Sequence, residues 1–293
     1  MNTLRTDRVR TVIFLKKRED ITIDEFSQYW LDNHSKVLLD FARGKKGIIK
    51  YEQLHVNQAE KSRLKKMGVP VLDYDGVVLF DFESFDAMNT AFNTDDYTRK
   101  VVPDELKFID REKCIVCRLN IASIVDTDED LNIAAQMGSA SSAYLRPPTK
   151  LRKDRSRVIF TFNAKPGVDL SKAWLQGHAE VVKSTPLGES MIKYEQLHLA
   201  KRITRLVRAD SSDHSTIEIP SWDGLALIDV PRFDAFQDSK AEQMLAKDNS
   251  RWQVPGSMHM LPVDVATIID TDVGMSQMHP PTPYSDVLNR KPG

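Results

Sequence analysis

Histidine is the side chain that most readily moves a proton near neutral pH, and two of the seven histidines occupy matching places on predicted helices. His34 follows Trp30 by one helical turn, on a stripe made by Phe26, Trp30, His34, Val37 and Phe41. His178 follows Trp174 in the same way, on a stripe with Leu170, Val181 and Thr185. Apolar steps of three and four mark the buried face of an amphipathic helix, so each imidazole faces whatever its helix packs against. Burying an imidazole costs free energy unless something bonds to it. Two readings follow: a general acid or base in a pocket under the helix, or a core histidine satisfied by a backbone carbonyl or a tyrosine hydroxyl.

A second set of polar groups lies on a strand that occurs twice. Ile49-Lys50-Tyr51-Glu52-Gln53-Leu54-His55 returns unchanged as Ile192-Lys193-Tyr194-Glu195-Gln196-Leu197-His198. Strand side chains alternate between faces. Tyr51, Gln53 and His55 therefore share one face, as do Tyr194, Gln196 and His198, while Lys50, Glu52, Leu54 and Val56 share the other. If the Tyr–Gln–His face looks at the helices, it converges with His34 or His178 on a pocket walled by Trp30 or Trp174. Gln53 and Gln196 would then help to bind a substrate. The competing reading puts Tyr51 and Gln53 at a sheet–sheet interface that holds the two copies in register. Asp81 and Asp229 match each other near the end of a later strand, as caps of the next helix or as catalytic carboxylates. Asp75 and Asp223, each before a glycine, read as turn residues.

The elements that position these groups are also duplicated. Tyr74-Asp75-Gly76 returns as Trp222-Asp223-Gly224, Phe85-Asp86-Ala87 as Phe233-Asp234-Ala235, and Asp126-Thr127-Asp128 as Asp270-Thr271-Asp272. A period of this length marks a tandem repeat of a domain-sized unit. In the first copy, strands are expected at 10–17, 48–56, 77–82 and 114–125. A helix opens at the capping box Thr22-Ile-Asp-Glu25, a second runs from Ser84 to Phe92, and more helix lies within 97–109. The segment 57–75, with Lys61, Arg63, Lys65 and Lys66, reads as a loop. The second copy predicts strands at 157–162, 191–199, 225–230 and 258–269, with helices at 170–185 and 233–249. The order β-α-β-β-α-β is the ferredoxin-like plan. A sheet with both helices on one side must bury its other face. The chain is therefore expected to be α+β: two tandem ferredoxin-like repeats packed sheet to sheet as a pseudo-dimeric barrel, with helices outside. The repeats span 1–128 and 155–272, joined by a linker at 129–154 and followed by a Pro-containing tail at 273–293.

Bulk composition excludes several classes. A net charge of -1 gives no global pull toward nucleic acid or an anionic membrane, and no apolar run is long enough to span a bilayer. The basic run Lys61–Lys66 has no neighbouring aromatic residues, which argues against a nucleic-acid site. Cys114 and Cys117 fall in a strand-like run and, three residues apart, point to opposite faces, so neither a disulfide nor a shared zinc is expected. No histidine spacing suits a structural metal site, and no phosphate-binding or nucleophile-turn motif is present. A reducing, cytoplasmic setting is expected. So is a chain that acts as a monomeric pseudo-dimer or pairs once more as a homodimer.

The repeat unit resembles the EthD-like family of the dimeric α/β-barrel superfamily. The resemblance rests on Phe26-Ser-Gln-Tyr-Trp30-x-x-x-His34, Tyr51-x-x-x-His55, Tyr74-Asp-Gly, and Phe80-Asp-x-x-Ser84-Phe. The second copy keeps Trp174-x-x-x-His178, Tyr194-x-x-x-His198 and Trp222-Asp-Gly, but has Ala173 before the Trp and Ile228-Asp-Val-Pro-Arg232 at the last motif. The resemblance implies a barrel with a pocket on each half and chemistry usually done without a cofactor. It further implies a dehydratase or decarboxylase acting on a polyketide-like or other small hydrophobic metabolite. Cofactor-free oxygenases and haem enzymes share the superfamily, and a non-catalytic carrier of the same ligand is a further reading. On the lyase reading His34, or His178, is the general acid or base. Tyr51 and His55, with Tyr194 and His198, polarise a carbonyl or hold the tautomer, and Trp30 or Trp174 stacks on the substrate. The departures at Ala173 and Arg232 favour the first copy as the active one.

Overall fold

The computed structural model describes residues 1–43, 45–127, 151–152, 154–205 and 220–270. Nearly all of the linker and all of the C-terminal tail expected from the sequence lie outside these residues. Eight strands carry the fold: β1 Val9–Leu15, β2 Ile48–Val56, β3 Gly76–Phe82, β4 Ile115–Asp126, β5 Ser156–Phe162, β6 Lys193–Arg205, β7 Gly224–Val230 and β8 His259–Asp270. They close into one antiparallel barrel in the order β1-β3-β2-β8-β5-β7-β6-β4. Each half contributes four consecutive neighbours in an equivalent order. The halves are thus joined edge to edge by β2–β8 and β4–β6 pairing. Closure removes the open sheet edges and creates a single interior.

Strand alternation sorts the side chains into that interior and an outer layer under the helices. Val12 and Phe14 of β1, Leu54 and Val56 of β2, and Leu225 and Leu227 of β7 share the central core. Ile13 and Leu15 instead join Tyr51, Phe80 and the helix residues Phe26, Trp30 and Phe41. The second half builds a matching outer layer from Phe162, Trp174, Tyr194, Ile228 and Trp252. Cys117 lies in the interior and Cys114 in the outer layer, on opposite sides of the wall as their spacing implies.

The first half carries α1 Ile23–Tyr29, α2 Ser35–Ala42, α3 Gln58–Lys66, α4 Phe85–Phe92 and α5 Val102–Glu105. The second carries α6 Ala179–Lys183, α7 Pro186–Ser190 and α8 Ser239–Trp252. Thr22 caps α1 in a reciprocal box with Glu25. The segment expected as a loop after β2 instead holds α3, because Asn57 caps it by accepting from the Glu60 amide. Among the described residues, three π-helical segments interrupt the helical layer, at Trp30–His34, Tyr97–Val101 and Ser171–His178. A π turn inserts one residue into the helical register. The stripe beyond His34 is therefore displaced by one, so that Leu38, and not Val37, is buried with Phe41. In the second half Val182 replaces Val181 in the same way.

Candidate active site

Both π turns that begin near a Trp end on a histidine, and the histidine meets an acid that the sequence reading did not single out. His34 is 5% exposed, and its Nδ1 lies 2.9 Å from Asp104 Oδ2. The Tyr29 hydroxyl donates to Asp104 Oδ1 at 2.5 Å, and Lys107 Nζ donates to the same oxygen at 2.9 Å. Burial acts to raise the Asp104 carboxyl, but the hydrogen bonds from His34, Tyr29 and Lys107 outweigh it and hold the group well below the usual carboxylate range. An ionised carboxylate only accepts, so His34 carries its proton on Nδ1 when neutral. Its Nε2 has no hydrogen-bond partner among the described residues.

The second half repeats the pair: His178 Nδ1 lies 2.8 Å from Asp248 Oδ2, which also accepts from Trp252 Nε1 at 3.2 Å. The His178 bond lowers the Asp248 carboxyl against the opposing effect of burial. Neither acid was legible as a partner, because Asp104 and Asp248 reach the histidines only through the fold. One signal was available in each: an acid within the last helical stretch before the final strand of its half.

The repeated strand divides its work by face. Tyr51, Gln53 and His55 look outward at the helices, while Lys50 and Glu52 point inward with Leu54. Gln53, fully buried, donates through Nε2 to the Trp30 carbonyl at 2.9 Å and to the Tyr51 hydroxyl oxygen at 3.1 Å. His55 Nε2 lies 3.1 Å from Gln53 Oε1, and His55 Nδ1 lies 2.6 Å from Ser27 Oγ. Burial depresses the His55 imidazole to about 3 and the His198 imidazole to about 4, so both are neutral at ordinary pH. Burial likewise pushes the Tyr51 phenol up. Gln196 repeats the contacts to the Trp174 carbonyl and Tyr194 hydroxyl, both at 2.9 Å, with His198 Nε2 3.4 Å from its Oε1.

Trp30 and Trp174 approach closely the glycine that opens the third strand of each half. A Cβ on Gly76 would stand 2.6 Å from the Trp30 ring, and one on Gly224 would stand 2.7 Å from Trp174. This explains why the Asp-Gly pair travels with the Trp-x-x-x-His motif in both copies. The aspartates themselves close turns, Asp75 accepting from the Lys17 amide and Asp223 from the Ala164 amide.

Asp81 and Asp229 are not helix caps and do not face the histidines. Ser84 caps α4, and the short 3-10 turn Phe233–Gln237 has no side-chain cap. Asp81 points into the barrel, where Arg10 Nε and Nη2 donate to its two oxygens at 2.6 and 2.8 Å. Arg157 grips Asp229 with the same two distances. Each arginine then reaches the other half: Arg10 pairs with Glu195, and Arg157 Nη1 donates to Glu52 Oε2 at 2.5 Å. The inward residues of the repeated strand thus bind the halves together, and the outward ones form the helix-side network. Neither of the two readings of this strand excludes the other.

A cavity of about 20 Å³ lies under the first-half helices, lined by Trp30, His34, Tyr51, Tyr97, Glu105 and apolar neighbours that include Phe108 and Ile109. Tyr97 donates to Glu105 Oε1 at 2.9 Å, and Glu105 pairs with Arg111. Ile109 and Arg111 also line a surface cleft of about 460 Å³, together with Arg18, Leu106 and Lys113. Cleft and cavity share Ile109 and so are neighbours. The cavity brings together Trp30, His34 and Tyr51 of the first copy. It leaves out Asp81, and the second-copy residues lie under their own helices. Among the described residues no cluster of His, Cys, Asp and Glu is placed to hold a metal. No helix among them is long and apolar enough to cross a membrane.

Residues 18–112 match the EthD domain. No curated protein matches the chain in sequence. Among solved structures, one from Fusobacterium nucleatum, provisionally named a monooxygenase, aligns over 90% of this chain and 94% of its own, at 7% identity and a TM-score of 0.53. An anthrone oxidase-like protein aligns over 89% and 92% at 9% identity and a TM-score of 0.49. A mutant chlorite dismutase from Candidatus Nitrospira defluvii aligns over 94% and 97% at 10% identity and a TM-score of 0.46. At these identities the likeness concerns the fold.

Proposed function

We propose that this chain, which carries an EthD domain over residues 18–112, is a cofactor-independent lyase that uses His34 as its general base on a small hydrophobic carbonyl compound. We further infer that its two halves are tandem repeats of the ferredoxin-like plan, of which the first holds the reactive centre. The observation that carries the reading is the His34–Asp104 pair at the edge of an apolar cavity. Asp104 holds the Nδ1 proton, so the Nε2 lone pair is left to accept a proton. The surrounding apolar wall, with Trp30, Phe80 and Phe108, keeps water from the reacting group.

The cavity has room for one group the size of a water molecule. It therefore takes the oxygen-bearing head of the substrate, and the body lies toward the cleft on the far side of Ile109. Ile109 and its neighbour Leu106 stand between cleft and cavity, and they move aside to admit the substrate while Asp104 keeps its bond to His34.

Proton abstraction is measurable without the natural substrate. In D2O the wild-type protein is expected to exchange the acetyl protons of 2-acetylnaphthalene, read by proton NMR. A folded His34→Ala variant loses this exchange, while His178→Ala keeps most of it. Exchange at the wild-type rate in His34→Ala would sink the assignment. A second reading, favoured by the monooxygenase-like fold neighbour, has the same carbanion captured by dioxygen. Consumption of oxygen alongside exchange would select it.

A further inference from the structure

The two halves share the His–Asp pair but differ in what stands next to the acid. The register from that acid to the last strand of each half has no gap. Ile109 bridges to Lys17 and Gln253 to Ala164, while Ile115 and His259 pair with Phe14 and Thr161. Counted from Asp104 and Asp248, Glu105 therefore matches Asn249, and Arg111 matches Pro255. The second half has no counterpart of Tyr97 either, because no tyrosine occurs between Tyr194 and Asp248. The trio Tyr97–Glu105–Arg111 belongs to the first half alone.

Both charged members are buried, Glu105 to 8% and Arg111 to 6% exposure. A buried ion pair is a poor way to hold a fold, because apolar residues of similar volume do as well or better. The second half makes the same connection with an amide and a proline, so the fold does not require the pair. Its place suggests another use: Glu105 and Tyr97 line the cavity with His34, and Arg111 lines the cleft. The Tyr97 hydroxyl donates to Glu105 Oε1 at 2.9 Å, and Arg111 Nη1 pairs with Oε2. Burial raises the Tyr97 phenol, so it keeps the proton that it donates. A carboxylate offers about four acceptor positions. Tyr97 and Arg111 take two of them, and the remainder can serve a ligand.

We propose that Glu105 is the recognition group for an uncharged hydroxyl, a phenol or an alcohol, on the head of the molecule that enters the first-half cavity. This rests on the reading of that cavity as the reactive centre and narrows its substrate to a hydroxylated carbonyl compound. An ionised carboxylate accepts and cannot donate, so the entering head must supply the proton of the bond. Arg111 already matches the carboxylate's charge, and the pair is neutral as a whole. An entering ammonium would therefore leave a positive charge unmatched in an apolar wall, and an entering carboxylate a negative one. A hydroxyl meets neither penalty and gains a charge-assisted hydrogen bond. No bond to carbon forms or breaks at Glu105; it binds, and His34 remains the base.

The test titrates the full chain with 2-naphthol and with 2-fluoronaphthalene, a probe of nearly the same shape with no proton to give, each followed by its fluorescence. Wild-type protein is expected to bind naphthol about tenfold to 100-fold more tightly, the worth of a hydrogen bond to a charged group. The triple variant Tyr97→Phe, Glu105→Leu, Arg111→Met removes the trio without stranding a charge. It is expected to keep the wild-type circular dichroism and to bind the two probes within about twofold of each other. His34→Ala keeps the naphthol preference while losing deuterium exchange, so a failure of the base assignment and a failure of this proposal are read separately. Equal binding of the probes to wild-type protein, a preference that survives in the triple variant, or a triple variant that no longer folds would each overturn it.

Discussion

At the scale of single residues, the proposed site turns on which nitrogen of His34 carries the proton. His34 offers Nε2 because Asp104 holds the opposite nitrogen's proton, and Asp104 stays ionised because His34, Tyr29 and Lys107 all donate to it. Asp104→Asn leaves the shape intact but lets the amide donate to Nδ1, which favours the wrong tautomer. We expect the acetyl exchange rate to fall by about 100-fold or more with unchanged circular dichroism; a rate within twofold of wild type would show that Asp104 does not orient the base. The sequence made His34, Trp30, Tyr51, Gln53 and His55 visible through spacing and repetition. It hid Asp104, Glu105 and Ser27 as partners, since no local period links residues that meet only after the barrel closes. It also misplaced Asp81 and Asp229: a carboxylate before a helix looks like a cap when the arginine opposite it, on another strand, is out of view.

At the scale of elements, the strands were legible to within two residues except β6, which runs six residues beyond its expected end to Arg205. Strand alternation survives closure of the barrel, so the face shared by Tyr51, Gln53 and His55 was correctly grouped. The π turns broke the helical period after His34 and His178, which is why Leu38 and Val182 are buried in place of Val37 and Val181. The contact between the first helical layer and β3 depends on Gly76. A methyl group there meets the Trp30 ring at 2.6 Å, and Trp30 lies beside His34 in the cavity wall. Gly76→Ala should therefore destabilise the protein by about 1–3 kcal/mol, measured by urea unfolding, and lower exchange activity at the same time. A fully stable variant would mean that the ring has room to move aside.

For the whole molecule, the duplication explains both the barrel and its internal charges. One chain supplies two four-stranded units, and the seams β2–β8 and β4–β6 place the repeated strand at each join. Its inward Glu52 and Glu195 cross to the arginine of the other half. Removing one partner from such a buried pair leaves an unmatched charge, and Glu195→Gln should cost about 3–5 kcal/mol in equilibrium unfolding; a loss under about 1 kcal/mol would deny the network that role. The same groups set the acid response. Glu52 and Glu195 are held below their usual value of 4.5 against the opposing effect of burial, chiefly by Arg157 and Arg10 respectively. Their stabilisation is present above 4.5 and is lost as pH falls below it. His55 and His198 are depressed from 6.5 to about 3 and about 4, so below 6.5 the unfolded chain binds protons that the folded chain refuses. Both effects make stability fall on acidification. Each histidine contributes up to about 1.4 kcal/mol per pH unit within its window. His55→Gln should flatten the stability profile between pH 6.5 and 4.5, and an unchanged slope would contradict the depressed imidazole.

The most direct measurement of the central claim is the tautomer of each histidine, read from long-range proton–nitrogen NMR of protein labelled with nitrogen-15 histidine at alkaline pH. His34→Gln and His55→Gln provide the assignments. The account predicts opposite tautomers: His34 protonated on Nδ1 with a bare Nε2, and His55 protonated on Nε2 with a bare Nδ1 toward Ser27. A proton on Nε2 of His34 would remove the base, and a proton on Nδ1 of His55 would contradict the hydrogen bond from His55 to Gln53 Oε1.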